Sequence, residues 1–371
     1  MINRTYFKRL QYTKQDIPSK PFSNLKVSGL TENIEYRPIA DFLSCPEKGG
    51  FDRIFDYTKN KREKNCGLGD NYIEEVKEKR NAGVYIKIDK AENEKNVPSL
   101  FIRFNLDTAN NTLYDQSFIH AAEGAKVKIF LYYDVAPNSF GETDIFRSGL
   151  LTLVAEKNSM VEFIKVQNLS HCGINFETMK IHALENAQIK LYDIQLGAKI
   201  NGCSNSTYMP EEWADVQIFP LYFADKDRRI DLEQNFIING KNSQGLISAR
   251  GALKNKANKV FRGNIFLNKG CSHSIAKFAD NTIMLDKTTV GASIPTIFCD
   301  EDDVIGEHAA SFEAVNKDKL YYLMTRGFDE LSAKKLIIEA AFKPVFEMID
   351  DEQIKEKLIQ EFNTSLDEIS E

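Results

Sequence analysis

Cysteine and histidine are scarce in this chain and widely scattered. Six cysteines, Cys45, Cys66, Cys172, Cys203, Cys271 and Cys299, include no C-x-x-C pair, and neither a disulfide framework nor a sequence-evident zinc knuckle is indicated. With only five histidines, His120, His171, His182, His273 and His308, a metal or cluster site has to be assembled from residues distant in sequence, or across two chains. No apolar run approaches a membrane span, and the opening MINRTYFKRLQYTKQD lacks the hydrophobic segment of a signal peptide. The expected address is therefore the cytoplasm, with no membrane partner. An excess of basic charge is also missing. Lys and Arg number 48 against 54 Asp and Glu, a net charge of -6, which is not the balance of a protein held to nucleic acid by bulk attraction. A G-x-x-x-x-G-K-[ST] loop is absent too, so the chain carries no phosphate loop for ATP.

What is present is an ordinary folding composition. Apolar residues make up 42% and charged residues 27%, which excludes disordered, collagenous and cysteine-stapled classes. At 371 residues the chain is long enough for one large domain with appendages or for two to three ordinary ones. Residues 1–100 read as a mixed region broken by Pro18, Pro21, Pro38 and Pro46, with a short surface helix from Asn71 to Arg80 that stops near Gly83. From 101 to 315 short β-prone runs recur, among them KVKIFLYYDV, MVEFIKVQN, AQIKLYDIQ, RRIDLEQNFII, KVFRGNIFL and PTIFC. Gly124, Asn175, Asn186, Gly202, Gly240, Gly251, Gly263, Gly270 and Gly291 mark the expected turns. This texture fits a mainly β fold, either a sandwich or a parallel β-helix, and the repeat is too irregular to fix a rung length.

Residues 316–371 turn helical. Asp318 to Arg326 forms one segment ended by Gly327, and Asp329 is placed to cap a second that runs through LSAKKLIIEAAFKPVFEMI. Leu331, Leu336, Ile337, Ala340, Ala341, Val345 and Met348 form its apolar stripe, Pro344 is expected to bend it, and Asp350-Asp351 opens a last short helix.

Several segments in fixed order carry a family resemblance: Ala249-Arg250-Gly251, then FRGNIFL, then PTIFCDEDDVIGEHAAS from Pro295 to Ser311, then DKLYYLMTRGFDELSAKKLIIEAAF from Asp318 to Phe342. The chain resembles the SufB/SufD family of iron-sulfur cluster assembly scaffolds. The resemblance implies a right-handed parallel β-helix core, a mixed N-terminal region and C-terminal helices on which a SufC-like ATP-binding-cassette ATPase docks. It also implies a homodimer or heterodimer with another SufB/SufD-like subunit, sulfur supplied by a cysteine desulfurase or sulfur carrier, and a transient, nascent iron-sulfur cluster. ATP hydrolysis would reside in the partner, and the chain would be a scaffold rather than an enzyme. Two departures stand out: Val290 where the SufB-like branch has a cysteine, and Gly306-Glu307-His308 where the SufD-like branch often has a cysteine or serine beside its histidine.

Clusters prefer thiolates, with imidazole and carboxylate as alternative ligands. His308 occupies the family's histidine position and is the first candidate for binding metal. Glu307 adjoins it, but neighbours on an extended strand face opposite ways, so both ligate together only across a turn or bulge. Cys299, nine residues before His308, is the nearest thiolate candidate. Cys271 with His273 two residues on would set a thiol and an imidazole on one strand face, exposed after the Lys269-Gly270 turn. His171-Cys172 and Cys203 are candidates to relay sulfur, a role that a buried structural cysteine does not meet. Each of these residues has a plainer reading: a strand-end histidine, a solvated carboxylate, a small buried hydrophobe. Tyr321, Tyr322, Arg326, Phe328 and Phe342 offer groups suited to a partner interface. Two competing functions remain open: a structural SufD-like subunit without ligands of its own, and a β-helical carbohydrate-active enzyme using the acidic run Asp300 to Asp303.

Overall fold

The computed structural model describes residues 10, 12, 15–44, 68–91, 97–136, 144–315, 317–347 and 352–367. Cys45, Cys66 and the Asp350-Asp351 helix start lie outside them. Two short strands, β1 (Leu25–Ser28) and β2 (Ile34–Pro38), lead into α1 (Ile39–Ser44) and α2 (Asp70–Lys79). Among the described residues only strands then follow: β3 (Val84–Ile88), β4 (Ser99–Leu106), β5 (Thr112–Ala121), β6 (Lys126–Val135), β7 (Phe146–Ala155), β8 (Met160–Asn168), β9 (Ile174–Ala183) and β10 (Gln188–Gln195). They continue as β11 (Ile200–Met209), β12 (Asp215–Ala224), β13 (Arg229–Ile238), β14 (Gln244–Leu253), β15 (Asn258–Leu267), β16 (Ile275–Met284), β17 (Val290–Cys299) and β18 (Ile305–Ala314). Three helices close the chain: α3 (Lys317–Thr325), α4 (Glu330–Phe346) and α5 (Glu352–Asp367).

Successive strands alternate between two nine-stranded sheets. One runs β1-β4-β6-β8-β10-β12-β14-β16-β18 and the other β17-β15-β13-β11-β9-β7-β5-β3-β2. From β3 and β4 onward every neighbouring pair is parallel, whereas β1 and β2 join their sheets antiparallel. Each turn of the chain therefore lays one strand on each sheet, which makes the core a parallel β-helix and removes the sandwich alternative. Rung length varies from 26 residues, where Ile174 aligns with Ile200, to 34, where Thr112 aligns with Phe146. That variation hides the period in the sequence.

Inside the solenoid, alternate residues of both sheets build one continuous apolar core from Ile34 to Phe278. The expected turn markers divide. Gly124, Asn186, Gly240 and Gly270 stand at corners, while Asn175, Gly202, Gly251, Gly263 and Gly291 lie within strands. At Gly251 a Cβ would come within 1.8 Å of the Tyr222 ring, and at Gly263 within 2.2 Å of the Phe278 ring. These glycines make room for large inward side chains rather than bending the chain. The corners are handled by residues in the left-handed region, with Asn158, Asn186 and Asn242 at φ 58, 53 and 56° on one edge.

The helices α3 and α4 follow the expected boundaries, with Gly327 at φ 99° between them and the Asp329 carboxylate accepting from the Ser332 N–H at 2.7 Å. Pro344 lies inside α4, which continues to Phe346. Ile338, Phe342, Val345 and Phe346 of α4 and Leu358 and Phe362 of α5 pack on the outer face of the first sheet, against Phe130, Tyr192, Phe219 and Phe223. Full burial of each such side chain contributes about 1.5–3 kcal/mol. Phe342 is thus a core residue, 1% exposed, and not part of a free interface.

Candidate functional site

The last rung, β17 and β18, is where the solenoid opens to solvent. Most of its side chains are exposed, and no strand of the described residues pairs with the outer edge of either member. Ile305 donates its N–H inward, to Ser274 O of the preceding rung at 3.0 Å. By the alternation of a parallel ladder, the N–H groups of Gly306, His308 and Ala310 point to the free edge. Two ten-residue edges of this kind are a template for pairing with another chain.

Register decides which of the candidate residues come together. His308 aligns with Phe278 and Cys299 with Leu267, both of which belong to the interior core, so both side chains take the inward phase at the open end. A Cβ on Gly306 would meet Ile297 at 3.4 Å, and one on Gly291 would meet Phe312 at 2.5 Å. His308 is therefore level with Pro295, about 13 Å along the strand from Cys299. The two point into the same interior from facing sheets, without converging on one ion within a single chain. Glu307 takes the outward phase, where its Oε2 lies 3.0 Å from Lys277 Nζ in an exposed pair of little energetic weight. As β18 has no bulge, Glu307 and His308 do not ligate together. Among the described residues no group of three or more His, Cys, Asp or Glu is disposed to hold a metal ion.

Cys271 departs from the expected exposure. It is fully buried at the corner between β15 and β16, and burial, followed by Glu301 and Cys299, pushes its thiol up to about 11. His273 does not share a strand face with it. It occupies the left-handed corner position at φ 62°, exposed, with Nδ1 2.9 Å from Asp303 Oδ2. Of the acidic run, Glu301 accepts from the backbone N–H of Gly270 and Asp302, which hold its carboxyl below the usual range. The Cys299 Sγ is exposed and 3.2 Å from Glu301 O.

A second constellation lies deep inside the solenoid. Arg147, fully buried, donates to both oxygens of Asp115 at 2.8 and 3.1 Å, to Glu177 Oε2 at 2.8 Å and to Asn175 Oδ1 at 2.9 Å, and its guanidinium lies 3.4 Å from the centre of the Tyr133 ring. Lys165 bridges Glu177 and Asp193. Burial alone would raise Glu177, but Lys165 and Arg147 outweigh it and hold the carboxyl low. At Asp115 and Asp193 burial prevails and the carboxyls are raised. Cys203 stands beside this cluster, its Sγ 3.2 Å from Asn201 Oδ1 and accepting from Asn175 Nδ2 at 3.5 Å. Burial, with Glu177 next, pushes its thiol well up, so in this conformation it is a protonated group and not a nucleophile. Cys172 is exposed at the corner before β9. Sequence reasoning missed the cluster although a signal existed: Arg147 shares the strand phase of Leu151 and Leu153, and Lys165 that of Val161 and Phe163, where an unpaired charge has no place.

At the helical end, Tyr321, Tyr322, Met324, Phe328 and Leu331 are exposed, Tyr321 to 71%. Beside them a groove of about 770 Å³ runs between α3, α4 and the end of the first sheet, lined by Ile283, Val315, Tyr322, Leu336 and Ala340.

The comparisons with known proteins agree with this architecture. Residues 104–341 match a family model described as the SufBD core domain of SUF-system FeS cluster assembly. A Staphylococcus epidermidis protein described as an iron-sulfur cluster assembly SufBD family protein is 24% identical over 241 residues, 65% of this chain and 51% of its own length. Proteins of the same description from Staphylococcus aureus and Staphylococcus haemolyticus match to the same extent. The chain spans about half the length of the curated relatives it matches. No described helix is long and apolar enough to cross a membrane.

Proposed function

The chain belongs to the SufBD core family of the SUF iron-sulfur cluster assembly system, and from that premise we propose that its open solenoid end is the surface on which a nascent cluster is assembled. The observation that carries this reading is the last rung: two ten-residue edges unpaired among the described residues, with Cys299 and His308 both pointing inward from facing sheets. One chain supplies a thiol and an imidazole too far apart for one ion, and a second SufB/SufD-like subunit, paired across these edges, brings the complementary pair into range. The cluster is cargo here, received and passed on. Thiolate and imidazole at this end would hold iron, and Glu307 and Cys271 lie close by as outward carboxylate and buried reserve thiol.

Sulfur, on this reading, comes from a cytoplasmic cysteine desulfurase or sulfur carrier and travels through the polar interior past Cys203. Persulfide acceptance there requires the Cys203 proton to leave, and the nearby Lys165 and Arg147 are the charges that favour the thiolate. The exposed aromatic surface of α3 and the adjoining groove would seat a SufC-like ATPase, which supplies the hydrolysis that this chain lacks. Family membership favours this scaffold over the carbohydrate-active alternative.

The test is anaerobic reconstitution with iron and sulfide, with and without the ATPase, for wild type, Cys299→Ala, Cys271→Ala and His308→Ala. Iron and sulfide content and Mössbauer spectra report the cluster. Loss of a stoichiometric cluster in folded Cys299→Ala or His308→Ala supports the reading. Full cluster content in every variant of an intact complex instead assigns the ligands to the partner and makes this chain a structural SufD-like subunit.

A further inference from the structure

Three cations line the cavity of about 550 Å³ between α1, α2 and the outer face of the second sheet. The floor of this cavity is apolar and closed, since Phe42 and Phe118, 2% and 4% exposed, are taken up by stacking with Tyr85 and with each other. Its rim is open and positive. Lys77 lies in the last turn of α2 and Arg80 at its C-cap. Lys180 rises from β9, in register with Thr152 of β7 on one side and Ser206 of β11 on the other. Thr152 and Lys180 are therefore about 4.8 Å apart along the ladder.

None of the three has a carboxylate partner among the described residues. Arg80 Nη1 donates to the neutral Gln116 Oε1 at 2.7 Å and lies 3.5 Å from the Lys77 carbonyl oxygen. Neither Lys77 nor Lys180 forms an ion pair, and the described lining contains no Asp or Glu. The carbonyl end of α2 offsets only about half a charge. Burial pushes the Lys180 ammonium below its usual range and Lys77 adds to this, with Asp70 partly opposing. The Thr152 hydroxyl also lines the cavity and makes no hydrogen bond among the described residues. A partly buried ammonium without a partner is costly, and three positive groups on one cavity create a field that an anion relieves. A guanidinium fork beside two ammonium groups suits the several oxygens and the double charge of a phosphate better than a single carboxylate.

We propose that this cavity binds a phosphate group, free or carried by a small ester, with Lys77, Arg80 and Lys180 as its counter-charges and the Thr152 hydroxyl as a neutral donor. The inference goes beyond cluster assembly and does not rest on it.

Isothermal titration of the full chain with inorganic phosphate, glycerol 3-phosphate and glycerol tests the assignment. One or both of the phosphates should bind at submillimolar concentration, and glycerol should not. Tighter binding of glycerol 3-phosphate identifies an ester as the source, and equal or tighter binding of inorganic phosphate identifies the free ion. Lys180→Met and Arg80→Gln should each weaken binding about tenfold or more, and Lys77→Gln, at an exposed position, several-fold. Wild type should gain thermal stability on adding the bound phosphate, and Lys180→Met should lose most of that gain. Failure of both phosphates to bind at millimolar concentration would overturn the proposal. Binding that is unchanged in Lys180→Met and Arg80→Gln would place the phosphate elsewhere and overturn it too. If Lys180→Met does not fold, Arg80→Gln and Lys77→Gln decide, since unchanged affinity in both removes the electrostatic basis of the site.

Discussion

At the scale of single residues, the interior charges set the sharpest expectations. Arg147 pairs with buried Asp115 and Glu177, so Arg147→Met strips Asp115 of its counter-charge and leaves Glu177 to Lys165 alone. Its expected cost is about 3–5 kcal/mol, read as a lower midpoint in urea unfolding. His182, 2% exposed and stacked on Tyr208 at 4.9 Å, is held neutral by burial down to a pKa of about 3. Between that value and the ordinary 6.5 the unfolded chain binds a proton that the folded chain refuses, so stability falls as the pH drops through this window. The slope is roughly 1.4 kcal/mol per pH unit, and His182→Phe should flatten it in urea melts at pH 7 and pH 5. The thiols divide by burial: at pH 8 iodoacetamide should label Cys299 and Cys172 quickly, and Cys203 and Cys271 only on the timescale of opening. Peptide mass spectrometry of a labelling time course checks this. None of these interior roles stood out in the sequence. Asp115, Arg147, Lys165, Glu177 and Asp193 come from different rungs, and one-dimensional spacing does not reveal that they meet.

At the scale of elements, the strands were legible because β-branched and aromatic runs between short polar corners leave little else to form, and the helices because Gly327 and Asp329 mark their limits. Sandwich and solenoid, however, place alternate residues inward in the same way, and only parallel register tells them apart. The strand glycines misled for a related reason. At Gly251 the requirement is for space, set by a tyrosine one rung back, and a turn makes the same demand on the sequence. Tyr222 cannot yield that space easily, since its hydroxyl is fixed 2.7 Å from both Asp280 Oδ1 and Thr282 Oγ1. Gly251→Ala should therefore destabilise by about 1–3 kcal/mol or more, seen as a lower thermal midpoint with unchanged far-ultraviolet circular dichroism. At the candidate site, His308 and Cys299 were recognisable from their motif, but their separation along the strand and the burial of Cys271 depend on the register and on the Glu301 corner.

At the scale of the whole molecule, the free edges are where the proposed pairing would form. Ala310 presents its N–H to solvent and not to β16, so proline there removes an edge donor without breaking the existing ladder. Light scattering should find wild type paired and Ala310→Pro monomeric, with the same circular dichroism; pairing retained in the variant would place the interface elsewhere. The opposite end of the solenoid is different, since β1 and β2 run against their neighbours, are only four and five residues long, and turn both sheets antiparallel. In the language of polymerisation, the chain is a monomer with one reactive end. On the proposed pairing, two copies, or one copy and a relative, that meet at that end would terminate each other, and an architecture that could in principle stack into fibres would stop at two.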